Sequence, residues 1–257
     1  MTQEELQSEE ARSRMVAIVS MFTVAAYMAA FLFTYLTQRG QPDSPNFAER
    51  LLQLDAHKGT LILSFFFLSI GSLLLASMLC HLMLAVKSRD AALSKFVMIL
   101  PVVGPALLAI AFPTFALAQV NVAGDFADMA NKSVAAAEEL GKGGFYQVSQ
   151  GFLVIAAFIM GLAWVFTCHH AMRVGLLTRL LGIVGMVIGL ATALNPQFSI
   201  FIQIFWIGAL AIVLLSKGET RPPAWVLGRA VPWSEVQAMG EEIRAEAAAR
   251  EEQSSGD

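Results

Sequence analysis

Three histidines lie within long apolar stretches of the sequence, where an ionisable side chain is costly enough to indicate a functional site. His81 follows Cys80 near the end of one stretch, and His169 and His170 follow Cys168 near the end of another. Two imidazoles on facing helices can hold one haem iron between them. One hypothesis is therefore a haem or metal redox site built from His81 and either His169 or His170.

Two other interpretations of these histidines need no cofactor. His81 lies about 8 Å along a helix from Lys87, and His169 precedes Arg173 by one turn, so the imidazoles can reach the lipid headgroups. They can also form hydrogen bonds between helices. The sequence therefore predicts no bound cofactor, keeps haem as an alternative, and indicates no separate metal site.

A second group of candidates is polar but uncharged and lies in stretches that are otherwise apolar. These residues could line a path for a solute: Ser69, Ser72, Ser77, Gln147, Gln150 and Gln203. No carboxylate lies in the central turns of these stretches, although a carrier driven by protons or sodium usually places one there. The pattern favours a passive conduit over secondary active transport.

The sequence contains no arrangement of residues that indicates catalysis. A hydrolase nucleophile elbow, an HExxH helix, a P-loop and a pair of carboxylates are all absent from it. The two cysteines lack CxxC spacing, so neither a disulfide framework nor a thiolate zinc site is expected. A net charge of -3 provides no basic surface for a phosphate backbone. We assign no catalytic residue and expect no nucleic-acid partner.

The composition indicates that lipid surrounds most of the chain. Of 257 residues, 56% are apolar and 14% are charged, with a mean hydropathy of +0.63. The first apolar stretch follows an acidic segment instead of a basic one, so we expect a retained span and not a signal peptide. Six stretches can cross the hydrocarbon: 15–37, 59–86, 96–119, 146–172, 176–194 and 198–216. The predicted fold class is all-α, a polytopic transmembrane helical bundle of about six spans.

The orientation follows from the basic residues of the short loops, because Lys and Arg resist translocation. The larger set falls on the proposed inner side: Arg12, Arg14, Lys87, Arg89, Lys95, Arg173, Arg179, Lys217, Arg221 and Arg229. The smaller set falls on the outer side: Arg39, Arg50, Lys58, Lys132 and Lys142. The sequence therefore predicts that both ends of the chain are cytoplasmic.

This topology divides the chain into three parts. Residues 1–14 are an acidic cytoplasmic segment, residues 15–216 are a six-span transmembrane domain, and residues 217–257 are a cytoplasmic tail. The surrounding bilayer is the predicted partner, together with a second copy of the chain or another subunit of a membrane complex.

The two longer outer connections, residues 40–58 and 124–144, can each hold a short surface helix. In the second, Asp125 and Asp128 are expected near the helix start, where negative charge suits the helix dipole. Glycines from Gly141 onward are expected to end that helix.

Glycine and proline spacing suggests how the spans pack. Gly182, Gly185 and Gly189 form a small-residue face with GxxxG spacing, which suits close contact between helices. Cys80-His81 and Cys168-His169 recur at corresponding positions of two spans, which suggests a parallel two-helix repeat. Three prolines are expected to bend the third span: Pro101, Pro105 and Pro113.

The tail contains two tryptophans and a candidate acidic amphipathic helix. Trp225 and Trp233 suit the headgroup level, where the ring can keep its N–H hydrated. Ser234 and Gln237 have the spacing of a capping box at a helix start. The apolar stripe of that helix would consist of Val236, Met239, Ile243 and Ala247.

Two segments, GLLTRLLGIVGMVIGL at 175–190 and RPPAWVLGRAVPW at 221–233, carry a resemblance to a known group of proteins. In them the chain resembles uncharacterised six-span membrane proteins that are common in actinobacteria. The likeness extends from about the second span to Trp233. It implies a fold and a bacterial inner membrane, and it brings no activity, ligand or catalytic residue.

Three functional hypotheses follow from the sequence. The first is a passive channel or facilitator for a small solute or ion in the bacterial cytoplasmic membrane. The second is a non-catalytic scaffold or accessory subunit that presents its acidic tails to partners. The third is the haem or metal redox module built on the histidines.

Overall fold

The computed structural model describes residues 2–39, 45–90, 92–216 and 221–238. Nine helices have both ends within these residues, which contain no strand, so the predicted all-α fold class is confirmed. The helices are α1 (Gln3–Gln38), α2 (Phe47–Ala56), α3 (Lys58–Lys87), α4 (Lys95–Asp128), α5 (Val134–Gly141), α6 (Gly144–Arg173), α7 (Arg179–Leu194), α8 (Pro196–Leu215) and α9 (Pro223–Leu227).

Five of these helices, α1, α3, α4, α6 and α8, are long and apolar enough to cross a membrane. The chain is therefore a multi-pass membrane protein. Helix α7 is also apolar but has 16 residues. Its length of about 24 Å is less than the hydrocarbon thickness of about 30 Å. Six complete spans therefore remain a prediction.

Side-chain caps fix where several helices begin. Thr2 and Glu5 form a capping box at the start of α1, and Asn46 and Glu49 form one at the start of α2. Asn195 ends α7 and caps α8, so the two helices are joined by a tight turn.

Six helices form a closed ring. Helix α1 packs on α3, α3 on α4, α4 on α6, α6 on α7, α7 on α8, and α8 returns to α1. Helix α3 also contacts α6 across the interior. We call the end of the ring where α1 begins and α3 ends the tail end, because residues 221–238 pack there. The opposite end is called the chamber end.

The interior of the ring is filled over its tail-end half. The largest side chains there are fully buried and belong to one apolar cluster: Met78, Leu79, Leu82, Met160 and Trp164. Trp164 also packs on Trp206 of α8, with ring centroids 5.3 Å apart. Because lipid is as apolar as these side chains, close packing and not removal from water stabilises this arrangement.

Small residues bring α7 against α6, as the GxxxG spacing predicts. A Cβ at Gly189 would lie 2.8 Å from the carbonyl oxygen of Gly161, and one at Gly182 would lie 2.8 Å from the Cβ of Met172. Gly185 faces the sulfur of Cys168. Any side chain at these positions would force the two helices apart.

Two short surface helices at the chamber end confirm the expectation for the outer connections. Helices α2 and α5 pack on each other and on the end of α4 through a small apolar cluster: Ala48, Leu51, Ala123, Phe126 and Ala137. The expected positions of Asp125 and Asp128 were wrong. Both lie in the last turns of α4, which continues past the predicted span, and α5 begins after Ser133.

The basic residues assigned to the inner side lie at the tail end wherever they are described. They lie in the tail-end turns of the helices or in the segments that follow those turns: Arg12, Arg14, Lys87, Arg89, Lys95, Arg173, Arg179, Arg221 and Arg229. Lys217 lies outside the described residues. The side of the membrane that this end faces stays a prediction.

The tail folds back on the tail end of the ring. The amide of Val231 donates a hydrogen bond to the carbonyl of Val174, and Val236 packs against the main apolar cluster. A helix begins at Trp233, before the predicted Ser234 cap. The rest of the predicted apolar stripe, from Met239 onward, lies outside the described residues.

Candidate functional site

A cavity of about 500 Å³ occupies the chamber end of the ring. Its walls come from α1, α3 and α8, and residues of α2 cover it. Its volume lies within the range of about 300–1,000 Å³ that is usual for small-molecule sites. We call this cavity the chamber.

The mouth of the chamber is polar. Gln38, Tyr146 and Gln197 lie at the chamber-end termini of their helices, and Arg50 lies on α2. Gln119 lies before the last turns of α4, which continues to Asp128. These termini lie where a spanning helix leaves the hydrocarbon, so water and headgroups can reach them. The mouth can therefore hold a polar or charged group.

The deeper walls are apolar. On α1, Ala30 lies eight residues deeper than Gln38, and on α8, Ile204 lies seven residues deeper than Gln197. On α3, Leu68 lies seven residues deeper than Leu61. That distance corresponds to a depth of about 10–12 Å. The chamber thus changes from polar to apolar along the axis of the ring.

Two hydroxyls on the walls are satisfied within the protein. The hydroxyls of Thr34 and Ser64 lie 2.7 Å apart, and each also lies 3.0 Å from the carbonyl oxygen of Ala30. Nearer the mouth, the hydroxyl of Thr37 contacts that of Thr60, at 2.8 Å. These hydroxyls join α1 to α3, and they need no ligand to complete their hydrogen bonds.

Below the chamber the ring is closed. The buried ring of Tyr27 lies directly on Gly71 of α3, where any Cβ would overlap it. Leu75 and Met78 follow on the next turns and are fully buried. The chamber is therefore open at one end only.

A second cluster of polar residues lies at the tail end and is buried. The guanidinium of Arg89 has no exposed side-chain surface and binds both carboxylate oxygens of Glu9, each at 2.8 Å. It also donates to the carbonyls of Ala224, at 3.0 and 3.1 Å, and of Ala85, at 2.8 Å. This ion pair connects α1, α3 and the tail.

His81 belongs to this tail-end cluster. The hydroxyl of Ser13 has three polar neighbours: the carbonyl of Glu9, at 2.8 Å, Nη2 of Arg221, at 2.9 Å, and Nε2 of His81, at 3.0 Å. Arg221 donates to this hydroxyl, whereas the direction of the bond between Ser13 and His81 depends on the tautomer of the imidazole. Nε2 of His81 is therefore engaged by Ser13 within the protein.

Trp225 is also buried in this cluster, with 3% of its surface exposed. Its ring stacks on His81 and lies under the guanidinium of Arg221, 4.6 Å from the ring centroid. Its N–H donates to the carbonyl of Leu176, at 2.9 Å. The protein thus encloses the ring and the N–H of Trp225, which a headgroup anchor would keep hydrated. Trp233 is 37% exposed, and its role as an anchor stays a prediction.

Burial has an electrostatic consequence for Arg221. Removal from water lowers the pKa of its guanidinium. The Nε of Arg221 is buried and has no hydrogen-bond partner in the described chain. The tail-end cluster is therefore held together by ring stacking and by the ion pair between Glu9 and Arg89, although one of its buried N–H donors has no partner.

The other two candidate histidines lie apart from His81 in their contacts. His169 is exposed and His170 half-buried, and their rings touch each other, with centroids 5.4 Å apart. His81 contacts α1 and the tail instead. In the described ranges, no group of three or more His, Cys, Asp or Glu side chains is placed to hold a metal ion.

The polar residues predicted to line a path do not line the chamber. Ser69, Ser72 and Ser77 each donate to a carbonyl of their own helix, and Gln203 donates to Thr192 and Ser199. Gln150 is exposed. Gln147 lines a smaller groove that adjoins the chamber at Phe47 and Tyr146.

The chamber residues themselves were missed by sequence reasoning. Gln38, Gln119 and Gln197 are single polar residues near span ends, where such residues are common. Arg50 was counted only as an outer charge. Their shared position at the chamber mouth depends on how four different helices meet, and no local spacing encodes it.

Comparison with known proteins places most of the chain in one family. The family model described as a domain of unknown function, DUF4386, matches residues 20–227. That range includes most of α1 and all of the other five helices of the ring, and it reaches Trp225 in the tail. No curated protein and no solved structure matches the chain.

Proposed function

The chain belongs to the DUF4386 family, and we propose that it is a protein of the bacterial cytoplasmic membrane that binds a small amphipathic molecule in the chamber. The observation that carries this proposal is the change from a polar mouth to an apolar floor within one cavity of about 500 Å³. An amphipathic molecule has the same change along its length. The tail end, with the larger set of basic residues, would face the cytoplasm.

The chamber argues for binding more than for free passage. A passive conduit needs a continuous path, and the ring below Leu68 is closed by Tyr27 on Gly71. Facilitated passage would require these two helices to separate. Binding at the outer leaflet, with release on the same side or after such a movement, needs only the chamber as it stands.

The two other hypotheses receive less support from the geometry. A haem site would need His81 to face His169 or His170, but His81 contacts Ser13 and Trp225, and the other two histidines contact each other. The scaffold hypothesis depends on the acidic tails, and residues 239–257 of the C-terminal tail lie outside the described residues. Neither has an arrangement comparable to the chamber.

A photoactivatable probe tests the proposal. Dodecyl alcohol with a diazirine at the end of its chain would be bound to the protein in lipid nanodiscs, and the labelled residues would be identified by mass spectrometry. We expect saturable labelling near Ala30, Leu68 and Ile204, because the chain end should reach the floor.

Thr34→Phe supplies the matched variant, since it places a ring in the chamber while Ser64 keeps its bond to Ala30. Overpacking of about 1–3 kcal/mol should weaken saturable labelling about 5- to 150-fold. Thr114→Phe makes the same change on α4, outside the chamber lining, and should leave labelling unchanged. Equal labelling of both variants would refute the proposal.

A further inference from the structure

We infer that the molecule bound in the chamber carries an anionic head, a carboxylate or a phosphate on an apolar chain, and that Arg50 and Tyr146 receive this head. The inference rests on the proposed function and adds the chemical class of the ligand. It depends on the charge of the mouth, on the free donors there, and on the depth of the floor.

The mouth of the chamber is positively charged. Among the described residues that line the chamber, Arg50 is charged and none is acidic. The adjoining groove is lined by one acidic and one basic side chain, Glu138 and Lys142. The mouth therefore presents a positive charge to whatever enters it.

Arg50 differs from two lysines at the same end of the ring, which are paired with carboxylates. Lys58 pairs with Asp55, at 3.7 Å, and Lys142 pairs with Glu139, at 3.1 Å. The guanidinium of Arg50 has no ion pair or hydrogen bond within the described chain. A guanidinium can donate two parallel hydrogen bonds to a carboxylate or a phosphate. Arg50 is thus free to bind an anion.

The other polar groups of the mouth are also unpaired. Tyr146 lines the same chamber as Arg50 and carries a phenolic hydroxyl. Neither this hydroxyl nor the side-chain amides of Gln38, Gln119 and Gln197 make a hydrogen bond within the described ranges. In contrast, the hydroxyls of the walls are paired with one another. The unpaired donors are therefore concentrated at the mouth, where a head with several acceptor oxygens could use them.

The depth of the chamber sets the length of the ligand's chain. The apolar wall from the mouth to the level of Leu68 is about 10–12 Å deep. Exposed phenyl rings of Phe31 and Phe201 flank it on α1 and α8, with centroids 6.2 Å apart. A single apolar chain of moderate length fits this space with its head at Arg50.

Competition against the photoactivatable dodecyl alcohol tests the inference in the full-length protein in nanodiscs. The competitors share one chain and differ in the head: dodecanoate, dodecyl phosphate, dodecyl alcohol and dodecyltrimethylammonium. We expect both anions to compete more strongly than the alcohol, and the cation to compete least. Acetate and inorganic phosphate, which lack the chain, should not compete. The ratio of dodecanoate to dodecyl phosphate then distinguishes a carboxylate ligand from a phosphate lipid.

Arg50→Gln should weaken competition by the anions about three- to tenfold and leave the alcohol unchanged, since a partly exposed charged hydrogen bond is lost. Arg39→Gln removes the same charge at the same end, outside the chamber lining, and should retain the preference for anions. Tyr146→Phe removes only the hydroxyl and should weaken anion competition by a smaller factor.

The outcomes separate the two proposals. If Thr34→Phe abolishes labelling but Arg50→Gln leaves the head preference intact, the chamber binds an amphipathic molecule and the inference about its head is wrong. The inference about the head is also wrong if Arg39→Gln reduces the preference as much as Arg50→Gln. If Thr34→Phe has no effect, the proposed function itself is wrong.

Discussion

Replacing Glu9 by Gln tests whether the buried ion pair holds the tail end together. The Arg89 side chain is fully buried and the Glu9 side chain is 7% exposed, with two contacts of 2.8 Å between them. Gln keeps the shape of Glu9 but removes its charge, so the guanidinium stays buried without a counter-ion. Breaking a buried pair in this way costs about 3–5 kcal/mol.

The next residue provides the control. Glu10 pairs with Arg14, at 2.6 Å, but the two side chains are 43% and 50% exposed. An exposed pair of this kind contributes about 0–1 kcal/mol. Glu10→Gln removes the same charge from the same helix turn, so any general effect of charge appears in both variants.

Thermal unfolding in mild detergent, followed by tryptophan fluorescence, measures the difference. The Arg89 guanidinium lies 5.4 Å from the centroid of the Trp225 ring, so the emission of Trp225 reports on this cluster. On the scale of soluble domains of similar size, Glu9→Gln should lower the unfolding midpoint by about 6–20 °C and Glu10→Gln by about 4 °C or less. Equal shifts in the two variants would mean that the buried ion pair does not hold the tail end together.

A double variant separates lost charge balance from lost shape. Arg89→Met alone leaves Glu9 buried without a partner and should also destabilise the protein. Arg89→Met together with Glu9→Gln removes both charges, so its cost should be clearly smaller than the sum of the two single costs. Strictly additive costs would mean that the two side chains act independently, contrary to the geometry.

Two further predictions concern helix packing and the tail. Gly189→Leu should destabilise the protein by separating α7 from Gly161. Gly208→Leu should be tolerated in the same unfolding assay, because no atom of the described residues lies within 4 Å of its Cβ position. Similar midpoints for the two variants would contradict this packing. Trp225→Ala should speed proteolytic cleavage of the tail, because the ring and its N–H hold the tail to the ring of helices, while Trp233→Ala should not. Equal cleavage of both variants would mean that Trp225 does not secure the tail.

The fold class could be predicted from the sequence because hydrocarbon leaves the backbone few alternatives. An apolar stretch must satisfy its own hydrogen bonds, so length and composition suffice to identify a helix. The contact between α7 and α6 could also be predicted from the sequence, because three small residues at helical spacing form a face that allows close packing. The start of α7 could not be predicted from hydropathy, because the helix begins after the Thr178 cap and not at the start of the apolar stretch.

The candidate site could not be predicted because polarity alone does not tell whether a group is already paired. Gln203 looked like the lining of a path, yet Thr192 and Ser199 satisfy it. Trp225 looked like a headgroup anchor, but the tail encloses it against His81. The polar mouth of the chamber combines residues from five helices, and only their packing shows that those donors remain free.

A density map of the protein in nanodiscs saturated with dodecanoate would show directly whether the chamber holds an amphipathic anion. We expect a continuous chain of density between α1, α3 and α8, with its head beside Arg50 and its end near Leu68. An empty chamber, or a ligand seated in the tail-end cluster beside His81, would contradict both the proposed function and the inferred head.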